Sequence, residues 1–393
     1  MSYILKLCGW YPSRVNIYNG DFVQRHAEAI ATQIPVKVIF AVKDPTLKGN
    51  KIVRVVNNKG NLTEYIFYYP SKKTLDVVWS YWFYLRVIKE ILPEVLQSFG
   101  NPLLVHVNIA WKASIWHGWI RKKYKWPLVI TENSTEYQEN AKLQLRKQGT
   151  LRQRFTDNLF ANCNLFIPVS AQLGMRIQTL FGKIPFTVVP NAVNTNYFFP
   201  VEQTDNTRFE IIHVSTLGYQ KNAEGLMSVF SKIISMDLPI RIRIIGPIID
   251  DWQTWAKANE NVNTEIVLSG YMSYSEIALA LQQSNLFLLF SRYENLPCVI
   301  LEALCCGIPV VSTTVGGIAE VINAENGKLV AEGDEDAMVR NVIDVIKNYS
   351  HYDKSKIAAA AKEKYNYEQV GQQFVKAYAQ IGIYANGITA SKK

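Results

Sequence analysis

The stretch SRYENLPCVILEALCCGIPVV, residues 291–311, decides how the chain is read. The apolar run before it, LFLLF (286–290), is short and continuous, the pattern of a strand buried on both faces. A polar turn carrying Glu294 follows. Pro297 then suits the first turn of a helix, where its missing N–H costs nothing. That helix carries Glu302 on its second turn and runs to Cys306; Gly307 ends it, and IPVVS (308–312) is the next short strand. A helix N-terminus beyond a parallel strand is a ready anion site. Ionised carboxylates are good acceptors for paired hydroxyls. Together they point to a phosphorylated ligand that also carries hydroxyl groups. Two glutamates eight residues apart are, by themselves, ordinary solvated helix charges. The buried strand and the proline-started helix set Glu294 apart.

The same grammar extends in both directions. Towards the C-terminus of the stretch, PVVST (309–313) is followed by helical patterns at about 335–347 and 353–364 and a last amphipathic helix from Tyr367. Before it, strands are expected at 210–215, 240–246 and 264–270, with helices at about 223–235, 251–259 and 274–283. In the first half, strands are expected at 3–8, 36–42, 51–56, 62–69, 103–107, 127–131, 165–170 and 186–190. Helices are expected at 21–33, 76–98, 112–124, 150–162 and 171–180. Alternating strands and helices imply parallel, doubly wound sheets. The turn-rich stretch PNAVNTNYFFPVEQTDNT (190–207) is the natural joint, so the expected domains are 1–190 and 191–366. Ligands of such sheets bind at the carboxyl ends of the strands, here expected where the two domains face each other across a cleft.

Totals narrow the class. At 393 residues, two domains are the default. No run approaches the ~20 apolar residues of a membrane span. The N-terminus lacks a signal peptide's apolar core, so a cytoplasmic location is expected. The cysteines Cys8, Cys163, Cys298, Cys305 and Cys306 are scattered, odd in number and free of C-x-x-C spacing, which reads as buried thiols rather than a disulfide framework or a metal site. Charge is lopsided: residues 1–190 hold 25 basic against 11 acidic side chains, and 191–393 hold 17 against 22. A basic first half suits a phosphorylated substrate or an anionic membrane surface. Nucleic acid is disfavoured, because the basic half has no recognisable binding motif and the other half is acidic.

Other residues stand where chemistry is expected. Lys221, in HVSTLGYQKNAEGLMSVF (213–230), falls after a strand and at the start of a helix, where a cation neutralises a leaving diphosphate; an exposed lysine is the plain alternative. Gly20 lies in the loop after the first strand, where glycine lets backbone approach a ligand, or simply makes a turn. Asn133 follows the strand PLVIT and either faces a ligand or caps a local turn. His106 and His117 lack metal-ligand spacing and read as packed histidines. The pair Gly316–Gly317 precedes another helical start. The aromatic run 77–91 and the basic run RKKYKW (121–126) suit either a core helix or a membrane interface.

With these motifs in order, the chain resembles the retaining glycosyltransferases of family 4, with the two-domain GT-B fold of two Rossmann-like domains. Glu294 and Glu302 match the family's E-x7-E motif. VVPNAVNTNYFFP (188–200) resembles its joint, HVSTLGYQKN its diphosphate-binding strand–loop–helix, and YPSRVNIYNGDFVQRHA its first glycine-containing loop. The resemblance implies transfer of a hexose-type sugar from a nucleoside-diphosphate sugar (UDP- or GDP-) to a glycan or lipid-linked glycan, with retention and without cofactor or metal. A place at the inner face of the cell membrane is part of that expectation. Glu294 would hold sugar hydroxyls, Glu302 the ribose and Lys221 the departing diphosphate. Amides of Asn295, Leu296 and Cys298 would serve the diphosphate, because Pro297 has none. A C-terminal helix, 367–386, would complete the first domain. Four departures are visible: Thr216 stands where relatives often carry Arg, Asn222 where they carry Gly after the Lys, Asn133 where they often carry a sugar-contacting His, and the first loop has one clear glycine, Gly20, rather than a pair. A nucleotide-sugar epimerase of the same architecture and a non-catalytic sugar-nucleotide or membrane-binding protein are the alternatives.

Overall fold

The computed structural model describes residues 2–71, 76–139, 141, 150–202 and 208–384. Residues 203–207 of the expected joint and 385–386 of the expected last helix lie outside them. The chain divides into two compact units: 1–137, 142–192 and 367–393 form one, and 138–141 with 193–366 form the other.

The first unit contains β1 (Ile4–Cys8), α1 (Asp21–Ala31), β2 (Val36–Asp44), β3 (Val53–Lys59), β4 (Leu62–Pro70), α2 (Asp76–Phe99), β5 (Leu104–Asn108), α3 (Ala110–Lys123), β6 (Leu128–Glu132), α4 (Thr150–Ala161), β7 (Leu165–Pro168) and α5 (Ala171–Phe181). Its sheet runs β3-β4-β2-β1-β5-β6-β7. Every pairing is parallel except the hairpin of β3 with β4. The strands β1, β5 and β6 are buried along their whole length, as a sheet covered on both faces requires. The expected strand at 186–190 does not form; Phe186 makes a single bridge to Phe166. The cause is local: Pro168 in β7 has no N–H to extend the ladder, so beyond Phe166 the segment makes only the bonds it donates to β7, from Thr187 N to Phe166 O and Val189 N to Pro168 O (3.0 Å each).

The second unit contains β8 (Phe209–Val214), α6 (Ala223–Ile234), β9 (Ile240–Ile245), α7 (Asp250–Asn259), β10 (Thr264–Ser269), α8 (Tyr274–Gln283), β11 (Leu286–Leu289), α9 (Cys298–Cys305), β12 (Val310–Thr313), β13 (Gly327–Val330), α10 (Glu335–Lys347) and α11 (Lys354–Tyr365). Its six strands are all parallel, in the order β10-β9-β8-β11-β12-β13. This is the doubly wound order, and it reverses between β8 and β11. The four-residue edge strand β13 carries too short a pattern to be read from sequence. Apolar faces of α6 and α10 (Leu226, Val229, Phe230, Met338, Val342) pack on Ile211, Ile242 and Leu288 of the sheet.

The last helix, α12 (Tyr367–Ala379), belongs to the first unit, where it packs against α1. Val370, Phe374 and Tyr378 join Val23, Ala27 and Ile30 in one apolar layer on the sheet. It ends sooner than 386. Gly382, at φ 78°, turns the chain, and the N–H groups of Gly382 and Ile383 bond back to the carbonyls of Ala379 and Tyr378.

Candidate functional site

The strand-order reversal brings the loops after β8 and β11 side by side, the first carrying Lys221 and the second Glu294. After β8 the chain runs through Ser215–Gly218 into a single 3-10 turn, Tyr219–Lys221, and then into α6. Lys221 therefore ends that turn, one residue before the α6 N-cap, Asn222, whose side chain accepts from Gly225 N. After β11 the segment 290–297 leads to α9. Pro297 is the N-cap of α9 rather than its first residue: its ψ of 125° is extended, and its carbonyl accepts from Ile300 N at 3.2 Å.

Glu294 is buried, with 4% of its surface exposed, yet its carboxylate is fully engaged. Oε1 pairs with the Lys221 ammonium and accepts from Ser291 Oγ at 2.8 Å; Oε2 accepts from Gln220 Nε2 at 3.0 Å. A buried carboxylate needs such compensation. Ser291 is tied in turn, its carbonyl accepting from Thr313 Oγ1 at 2.9 Å. Glycine at 316 is enforced here. Gly316 sits at φ 61°, and a Cβ on it would lie 2.1 Å from the carbonyl oxygen of Glu294. Gly317 N donates to Asn295 O at 2.6 Å. The Gly316–Gly317 pair thus braces the Glu294 turn. Asn295, Leu296 and Glu302 are buried, and Cys298 is half-buried. Glu302 lies within α9 as expected.

The start of the β8 loop is held by His213. Burial, with the charge of Lys221 adding to it, pushes this imidazole down to about 4, against a bond to Leu288 O that favours its protonated form. It is therefore neutral at pH 7. A carbonyl only accepts, so Nδ1 carries the proton and donates to Leu288 O at 2.8 Å, and Nε2 accepts from Ser215 Oγ at 2.7 Å. Ser215 Oγ then accepts from Leu217 N at 3.0 Å. This chain of bonds fixes Leu217, which sits at φ 51°. Thr216, beside it, is exposed.

Gly20 and Asn133 belong to the first unit. Gly20 is the N-cap of α1 at φ 73°, and a Cβ there would lie 2.7 Å from backbone atoms of Trp10 and Tyr11. The packing of the first loop on itself therefore suffices to require glycine. Asn133 Nδ2 donates to Asn191 Oδ1 at 2.9 Å. Its neighbour Glu132 escaped the sequence reading, because TENSTEY looks like an exposed polar turn. Glu132 is fully buried and accepts from Ala110 N, Asn133 N, Ser134 N and the Tyr137 hydroxyl, at 2.9 to 3.1 Å. Burial pushes its carboxyl up to about 7, against those backbone donors. His106 and His117 are buried. His106 bonds to Tyr378 Oη and Thr131 Oγ1, and desolvation holds both imidazoles neutral. Gln220, Ser291, His213 and Arg292 also went unread: Gln220 and Arg292 acquire their partners only when distant loops meet, while Ser291 and, through Nε2, His213 pair locally in turns whose conformation the sequence does not show.

Two parallel-sheet α/β units of this kind are the architecture of the GT-B fold. Residues 195–364 match the family model "Glycosyl transferases group 1", and residues 22–197 match "Glycosyltransferase Family 4". The chain belongs to this glycosyltransferase family. Among curated proteins it is similar to a phosphatidylinositol N-acetylglucosaminyltransferase subunit of Arabidopsis thaliana, 27% identical over 47% of this chain and 42% of the relative. It is also similar to N-acetyl-alpha-D-glucosaminyl L-malate synthase of Bacillus anthracis, 30% identical over 35% of this chain and 36% of the relative. These matches thus span less than half the length of either relative. Among solved structures, sucrose-phosphate synthase from Thermosynechococcus elongatus superimposes with a TM-score of 0.74 at 17% identity, covering 97% of this chain and 99% of that one. Anabaena HepE in complex with UDP gives 0.67 at 15%, covering 97% and 100%. Among the described residues, no helix is long and apolar enough to cross a membrane.

Proposed function

We propose that the protein transfers a hexose-type sugar from a nucleoside-diphosphate sugar to a glycan or lipid-linked glycan, with retention of anomeric configuration. The observation that carries this is the pairing of Lys221 with Glu294 at the strand-order reversal of the second unit. Breaking the anomeric C–O bond builds positive charge on the sugar and negative charge on the departing diphosphate. A fixed cation at that diphosphate is the expected device. Lys221 takes this role by exchanging the Glu294 carboxylate for a phosphate oxygen. Glu294, still held by Ser291 and Gln220, then accepts from sugar hydroxyls, and Glu302 holds the ribose. Backbone amides of Asn295, Leu296 and Cys298 are the proposed diphosphate donors, and Thr216 lines the same loop without adding charge. Gly20 and Asn133 are proposed as donor contacts from the first unit. The acceptor hydroxyl attacks from the face the diphosphate leaves, and its proton passes to the leaving phosphate oxygen.

Solved neighbours hold UDP, or UDP and glucose, so UDP-sugars are the first donors to try, with GDP-sugars next. A true donor raises the melting temperature by mass action in a thermal-shift screen. Glu294→Gln and Lys221→Ala are then assayed for transfer and donor hydrolysis; unchanged turnover in both overturns the assignment.

We also propose that the first unit contacts an anionic membrane surface peripherally, at the inner face of the cell membrane. Val78, Tyr81 and Trp82 are exposed on α2, and Arg121, Lys122 and Lys123 are exposed on the last turn of α3. Sedimentation with liposomes that shows no dependence on anionic lipid counts against it.

A further inference from the structure

The 219–221 turn that presents Lys221 has little to hold it. It is one 3-10 turn, closed by Lys221 N donating to Gly218 O at 2.9 Å, and such short turns are marginal alone. Non-glycine residues at positive φ flank it, Leu217 at 51° and Asn222 at 53°, a conformation that surrounding contacts must enforce. The Ser215 bonds fix the approach and the Asn222 cap fixes the exit. The turn itself is gripped by Arg292, two residues before Glu294. The Arg292 backbone N–H donates to Gln220 O at 2.8 Å, and Nη1 donates to Tyr219 O at 2.7 Å. The guanidinium carbon lies 4.4 Å from the centre of the Tyr219 ring. A planar fork that both donates and stacks suits this place better than a lysine ammonium.

These contacts differ in kind from the Lys221–Glu294 pair. That pair is given up whenever Lys221 takes another anion. The grip of Arg292 falls on carbonyls and a ring, and it survives the exchange. We infer that Arg292 is a positioning residue: it locks the turn bearing Lys221 to the turn bearing Glu294, so that Lys221 stays poised when it passes from carboxylate to diphosphate. The inference rests on the donor reading above.

The test is calorimetric binding of UDP and uridine, and of GDP and guanosine, to the full chain and to Arg292→Ala, Arg292→Lys, Lys221→Ala and the double alanine variant. The wild type should bind one diphosphate more tightly than its nucleoside. Arg292→Ala should narrow that gap about tenfold with nucleoside affinity unchanged, the size expected when one charge-assisted bond is misplaced. Arg292→Lys should recover part of the gap, and Arg292→Ala should add nothing in the Lys221→Ala background. Equal losses for diphosphate and nucleoside would reduce Arg292 to a general structural role. A loss that persists without Lys221 would mean direct contact with phosphate; either result overturns the inference. If Arg292→Ala does not fold, Tyr219→Leu removes the stacking partner and is held to the same expectations. A wild type that binds neither nucleotide overturns the donor reading itself, whereas an intact gap in Arg292→Ala overturns only the positioning role.

Discussion

In the first unit the strand order reverses between β1 and β5; in the second it reverses between β8 and β11. The first reversal is built of backbone. Gly9 N donates to Asn108 O, and Ile109 sits at φ 59°, a rare conformation for a β-branched residue, where it is wholly buried. The nearby carboxylate, Glu132, is sealed in and spent on N–H groups and a tyrosine hydroxyl. The second reversal ends in an ion pair, Lys221 with Glu294, on loops that leave Lys221 partly exposed. One topology thus yields a closed, strained junction in one unit and a charged, partly exposed one in the other. The strand order supplies a place for chemistry, and the loop residues decide whether it is used.

The sharpest way to break this contrast is to remove the paired charges. Lys221→Ala and Glu294→Gln should each lower kcat by about 10²–10³-fold, and Lys221→Ala, which leaves the buried Glu294 carboxylate without its cation, should also lower the melting temperature, whereas Asn133→Ala in the first unit should lower kcat by only about tenfold. Steady-state kinetics beside thermal melts checks this, and a larger loss in Asn133→Ala would reverse the comparison. Next comes Gly316→Ala. A Cβ 2.1 Å from Glu294 O on a left-handed backbone should cost roughly 3 kcal/mol or more and displace Glu294. Urea unfolding measures the cost, and wild-type stability would show that the brace is dispensable.

Smaller and signed is the response to pH. His213 titrates near 6.5 unfolded and near 4 folded, so the unfolded state binds more protons between those values. Its contribution, roughly 3 kcal/mol at most, is complete above about pH 6.5 and is lost as pH falls towards 4. His26 (about 3) and His117 (about 4), depressed chiefly by burial, act in the same sense. Glu132 opposes them: folded at about 7 against 4.5, it makes the native state bind the extra proton, so its contribution falls as pH rises through that window. Urea midpoints between pH 4.5 and 7 should rise with pH, less steeply in His213→Asn and more steeply in Glu132→Gln. Parallel slopes in all three proteins would refute these assignments. Smallest is Tyr378→Phe, which leaves buried His106 Nδ1 without its partner and should cost about 1–3 kcal/mol, with no change in donor binding. Altered donor affinity there would tie α12 to the site.

Much of this was legible in the chain. Apolar runs such as LFLLF and YILKLC marked buried strands, because a strand covered on both faces needs apolar residues at every position. Glu294 and Lys221 stood out because they fall between such runs and the helices that follow, and Glu302 because it sits on the helix after Glu294. Where reading failed, the cause was pairing. Residues 186–190 have a strand's composition, but Pro168 of the neighbouring strand denies them a ladder. The edge strand β13 is short and partnered on one side only. Glu132 looks solvated in TENSTEY and is buried because β5, β6 and the start of α3 close over it.

By itself, then, the sequence determined the α/β class and the residues at the ends of its strands, which follow from periodicity within a short span, and its motifs carried the resemblance to the glycosyltransferase family. Tertiary structure alone decided that Glu294 meets Lys221, 73 residues away, because only the reversal of strand order makes β8 and β11 neighbours. The stretch 291–311 needs that meeting. Its carboxylate is stable in a buried turn only with the cation, amide and hydroxyl that another loop and its own first residue bring, and Arg292 holds the two loops together.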